Sequence, residues 1–142
     1  MEHPIEFFSE EIDFSLKDPA QVSEWLAEII EQHDQELIQL TYVFCSDDYL
    51  HEINVEYLDH DTLTDIITFN NADMEGTIEG DIFISVDRVR DNAADLKIPF
   101  DDELHRVIVH GVLHLLGFKD KTPEQEAEMR KQEDSCLSLR KF

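Results

Sequence analysis

Ten consecutive residues, Val107 to Leu116 (VIVHGVLHLL), carry no formal charge in a chain whose Asp and Glu number 34 of 142 residues. So apolar a stretch belongs inside the fold, and its length favours a helix over a strand. A helix buried on every side becomes the element that the rest must cover, with helices and a sheet. Its two histidines add a second constraint. Residues at i and i+4 lie one above the other on a helix face, so the imidazoles of His110 and His114 converge. Buried polar groups without partners cost about 1–3 kcal/mol each. One metal ion would satisfy both rings.

Gly117 follows, where a helix can end in a left-handed turn open mainly to glycine. The chain can double back there and return Asp120 to the same point. Offsets of four, three and three resemble the metzincin-type frame, H-x-x-x-H-x-x-G-x-x-ligand. Two histidines at helical spacing are more often separately satisfied side chains. The apolar surroundings, the glycine at the turn and a carboxylate within reach favour the metal site. Two imidazoles and one carboxylate leave the fourth tetrahedral position to water, the ligand count of a catalytic zinc rather than a structural one. Gly111 stands where an HExxH peptidase carries its general base, so ordinary proteolysis is not expected. His105, five residues before His110, falls about 140° round the helix and outside the ligand set.

The remaining chain reads as one α+β domain over residues 1–142. Residues 5–16, with Ile12, Phe14 and Leu16 alternating, suggest an opening strand or bent strand pair. A helix follows from Asp18-Pro19 to about His33, then a strand from Leu37 to Cys45. Ser46 caps a helix along which Leu50, Ile53, Asn54 and Tyr57 share one side. Asp59-His60-Asp61 is a turn, Thr64–Phe69 a short strand, and Ile78–Ser85 another. Ser85 caps a helix broken by Pro99. The central helix begins near Asp101 or Asp102 and ends at Gly117. Thr122, Pro123 and a capping-box Gln125 open a last helix to about Leu139, with Glu124, Glu126 and Glu128 on a wet face.

Charge and cysteine usage bound the function. Acids outnumber bases by 34 to 11, a formal net charge of −23. Phosphate neutralisation supplies most non-specific nucleic-acid affinity, so any nucleic-acid-binding face must be local, or assisted by a metal or a partner. Cys45 and Cys136 fit no CxxC pattern, and the chain opens without a secretory signal. Free thiols in a reducing cytoplasm are expected, with no segment apolar enough to span a membrane.

Three segments carry a resemblance: INVEYLDHDTLTDIITF (53–69), EGDIFIS (79–85) and HGVLHLLGF (110–118). Together, in this order and spacing, they resemble the YbeY family of bacterial rRNA-maturation endoribonucleases, and the likeness covers nearly the whole chain. It implies a small mixed sheet of about four strands packed with about five helices, the metal helix buried at the centre. It also implies metal-dependent cleavage of single-stranded RNA, tied to ribosomal RNA processing and ribosome quality control, with ribosomal proteins as possible partners.

The expected ligands are His110, His114 and Asp120, holding one Zn²⁺ per chain. The family's usual frame places a third His where this chain has Asp120, and a carboxylate there makes the site more tolerant of harder ions such as Mn²⁺. Phe118 and Lys119 fill places usually held by Tyr and Asp. Leu58 stands where the family commonly has a phosphate-binding Arg, and Lys119 or Lys121 would supply that positive charge. Asp65 is the first candidate for a general base or substrate-positioning group, while His60 reads as solvated surface. The competing expectation is a non-catalytic ribosome-assembly or partner-binding module with a structural metal, whose acidic surface meets a basic ribosomal protein.

Overall fold

The computed structural model describes residues 4–58 and 64–142, and within them lie four strands and five helices. In order these are β1 (Ile5–Glu10), α1 (Pro19–Gln32), β2 (Glu36–Cys45), α2 (Asp47–Leu58), β3 (Ile66–Asn70), β4 (Thr77–Ser85), α3 (Val86–Leu96), α4 (Phe100–Leu115) and α5 (Pro123–Leu137). The sheet order is β1-β2-β4-β3, with β1, β2 and β4 parallel and β3 antiparallel along β4. This is the expected mixed sheet of an α+β fold.

Side chains alternate across the pleat, and the even positions of β4 (Ile78, Ile82 and Ile84) are buried on the face that receives α4. The opposite face holds a smaller cluster of Cys45, Leu50 and Ile67 under α2. α4 packs against β3 and β4 on one side and against α3, α5 and α1 elsewhere. Its residues Leu104, Val107, Ile108, Val109, Val112 and Leu113 are all buried. The uncharged stretch is therefore the centre of the molecule. The Tyr42 hydroxyl, itself fully buried, donates to the Ile108 carbonyl at 2.8 Å and fixes α4 along β2.

Gly111 explains how closely helix and sheet approach. A Cβ there would lie 2.9 and 3.0 Å from Ile82 and 3.2 Å from Ile66. The position faces the sheet, so a peptidase-like glutamate has no room at it.

The start of the chain departs from expectation. β1 stops at Glu10, and residues 12–16 are not strand. Glu11 takes a left-handed backbone with φ 54°, which breaks the extended path, and the Ser9 hydroxyl donates to the Phe14 carbonyl across the bend. Ile12, Phe14 and Leu16 alternate because they pack against the core as a loop, not because they pair. Elsewhere the caps match: Ser46 accepts from Tyr49 N, Ser85 from Arg88 N, and Thr122 and Gln125 form the capping box of α5. The turn at 59–61, with His60, lies outside the described residues. Among the described residues no helix is long and apolar enough to cross a membrane.

Candidate metal centre

The C-terminal end of α4 builds the site. Gly117 adopts φ 106°, which a residue with a Cβ rarely takes. Around it the Phe118 N–H donates to the Leu113 carbonyl and the Gly117 N–H to the His114 carbonyl, both at 3.0 Å. This paired arrangement is a Schellman ending, and it turns the chain back over the last helical turn. Asp120 returns to the two histidines as a result.

The rings of His110 and His114 lie nearly perpendicular, 4.5 Å apart between centroids. Each has its Nδ1 already engaged. His110 Nδ1 meets Glu133 Oε2 at 2.7 Å, and His114 Nδ1 meets the Phe118 carbonyl at 3.1 Å. A carboxylate and a carbonyl only accept, so both Nδ1 atoms donate and both Nε2 atoms are left as lone pairs. Those Nε2 atoms face Asp120 Oδ2, at 3.3 Å from His110 and 3.5 Å from His114. Ligands bound at the usual 2.0–2.1 Å in a tetrahedron lie about 3.3–3.4 Å apart, so these two separations suit a zinc-sized ion. The three side chains could hold a metal as one group. Their exposures of 18, 29 and 38% leave one side open to a small ligand.

Charge around the rings is uneven. Burial opposes the His110 imidazolium, but the hydrogen-bonded Glu133 and the Asp120 and Asp65 charges outweigh it and raise its pKa. His114 is lowered, by burial and then by its neighbour His110. Burial alone would raise Glu133, yet its bonds to His110 and Arg106 hold it below the usual carboxylate range. An ion entering here competes with protons for a carboxylate-backed imidazole.

A cavity of about 230 Å³ opens beside His110 and Asp120, and Asp65, Glu103, Arg106 and Arg130 are also on its wall. Asp65, just ahead of β3, accepts from the Asn92 amide at 3.5 Å, and burial raises its pKa despite the nearby His110. Lys119 and Lys121 are exposed and are not on that wall. Asp81 and Ser85 are elsewhere: Asp81 accepts from Asn71, and Ser85 caps α3 while donating to Asp47. His105 is buried with Trp25, Phe142 and Arg140, apart from the cluster.

The sequence reading missed Glu133, Arg106 and Arg130. Glu133 sits with Met129 and Cys136 on the buried stripe of α5. One glutamate at i+4 from a buried Met and i−3 from a buried Cys, on a helix whose other acids are exposed, was the available signal. Glu124, Glu126 and Glu128 are exposed as expected.

The family model described as Endoribonuclease YbeY matches residues 5–140. A protein of Cytophaga hutchinsonii named Endoribonuclease YbeY is 50% identical over 141 residues, covering 99% of each chain. One of the same name from Amoebophilus asiaticus is 48% identical over 129 residues, 91% of this chain and 88% of that one. A solution structure of a Thermotoga maritima protein superposes with a TM-score of 0.64 at 27% identity, covering 94% of this chain and 89% of that one.

Proposed function

The chain belongs to the YbeY family of endoribonucleases, and from that premise we propose that it hydrolyses single-stranded RNA during ribosomal RNA maturation in the cytoplasm, acting as a single domain. The ligands are His110, His114 and Asp120, and the ion is Zn²⁺, with Mn²⁺ able to replace it. The observation that carries this reading is the convergence of two Nε2 lone pairs on one Asp120 oxygen, at 3.3 and 3.5 Å, beside an open cavity.

A divalent ion bound there supplies Lewis acidity and lowers the pKa of a water towards neutrality. The chain's own groups do the rest. Glu133 and the Phe118 carbonyl keep the imidazole protons on Nδ1, so ligation needs no tautomer change. Asp65, on the cavity wall with a raised pKa, accepts the proton of the attacking water as its oxygen bonds to phosphorus. The bond from phosphorus to the leaving ribose oxygen breaks, and that oxygen takes a proton from solvent. Lys119 and Lys121, exposed on either side of Asp120, set positive charge at the rim for incoming phosphates.

The test incubates metal-loaded protein with single-stranded RNA, with and without chelator, beside His114→Ala. Cleavage that needs both the ion and His114 supports the reading. Equal cleavage by the variant, or none by the loaded wild type, overturns it. A protein that binds metal, loses thermal stability on chelation and cleaves nothing would instead be an assembly module with a structural ion.

A further inference from the structure

Two guanidiniums share the cavity wall beside the metal cluster, and they are held differently. Arg106 is engaged by Glu133 at 2.9 Å, Asp134 at 3.1 Å and Glu103 at 3.8 Å. Arg130 lies on the exposed side of α5 and, among the described residues, forms no ion pair within 4.0 Å and no hydrogen bond, its charge reaching Glu103 only through space. Glu133 and Asp134 stand three and four residues beyond Arg130, the spacing at which a helical arginine finds its partners. Both are turned to Arg106 instead. In a chain with three times as many acids as bases, its natural partners have been drawn away and its guanidinium is left facing the cavity.

The charge of the wall says what such a group is for. Four carboxylates (Asp65, Glu103, Asp120 and Glu133) against two guanidiniums leave the cavity at a formal −2, which a divalent ion brings to zero. A phosphodiester can approach a neutral wall that still offers an unpaired fork of N–H donors. Arginine presents that fork in the geometry of two phosphate oxygens.

We propose that Arg130 binds a backbone phosphate of the RNA substrate in this cavity, beside the triad of His110, His114 and Asp120. This rests on the endoribonuclease reading above. The contact is to substrate, and it sets the register of the strand on the site.

The experiment compares wild type, Arg130→Gln, Arg130→Lys and Lys131→Gln, the last removing the same charge from an exposed neighbour outside the cavity. Melting temperature and bound metal are measured for each. Binding of a 2′-O-methyl oligonucleotide, checked on a gel for intactness, is followed by anisotropy as salt is varied. Steady-state cleavage of the matching RNA gives kcat and KM. Losing one charge-assisted contact should raise Kd and KM by about tenfold or more with metal content unchanged. The slope of log affinity against log salt should flatten by about 0.7, the value for one single-strand phosphate contact. Arg130→Lys should recover the slope but only part of the affinity. The proposal is overturned if Arg130→Gln matches Lys131→Gln in Kd and slope, or if Arg130→Gln loses its metal. Wild type that binds with an Arg130-dependent slope yet never cleaves would sink the endoribonuclease reading while leaving the phosphate contact standing.

Discussion

Glu133→Gln isolates the group behind the cluster of His110, His114 and Asp120. Glu133 Oε1 accepts from Arg106 at 2.9 Å and Oε2 from His110 Nδ1 at 2.7 Å, so both oxygens are used. An amide of the same shape has one oxygen for these two donors. The guanidinium makes the stronger, charge-assisted claim on it, which turns the –NH₂ towards His110 Nδ1. That nitrogen must then accept, and the ring proton moves to Nε2, the atom aimed at Asp120. The ligand position is blocked without any change in side-chain volume. Loss of such an orienting partner typically costs 10–100-fold in metal affinity, or about 1.4–2.7 kcal/mol. The fold should suffer less, because Arg106 keeps Asp134 and Glu103 as partners. Competition with a chromophoric chelator gives the metal affinity, and a thermal melt of the metal-free protein gives the stability. Wild-type metal affinity in Glu133→Gln would refute the reasoning, since the tautomer of His110 would then not depend on the carboxylate behind it.

Asp120→Ala should abolish stoichiometric metal binding, and Asp120→His should restore it, both read by metal analysis of purified protein. Gly111→Val places methyl groups where even a Cβ lies 2.9 Å from Ile82. Overpacking of this kind costs about 1–3 kcal/mol, and a thermal melt unchanged from wild type would contradict it. His105 is held below its ordinary pKa, by burial first and then by Arg140. The unfolded chain therefore binds more protons in the window between that lowered value and about 6.5, and stability falls as pH drops through it. Denaturant titrations between pH 7 and 5.5 should show this slope in wild type and a flatter one in His105→Gln.

The central helix and the convergence of His110, His114 and Asp120 were legible in the sequence because local rules set them. Period, lack of charge, and a glycine at the turn act within a dozen residues of one another, so His110, His114 and Asp120 could be brought together on paper. The opening segment was misread because alternation of Ile12, Phe14 and Leu16 records which side chains are buried, not whether the backbone pairs. A left-handed Glu11 makes the difference, and nothing in an acidic side chain announces that conformation. Glu133 was hidden for another reason. It lies 23 residues from His110, and its role depends on how α5 is rotated against α4. The same rotation gives Glu133 and Asp134 to Arg106 and leaves Arg130 without them. Spacing along α5 alone would have paired Arg130 with those acids and read the helix as a closed, self-satisfied surface. Only the packing between α4 and α5 decides which guanidinium is neutralised, so the cation available to a phosphate is a property of the tertiary contact.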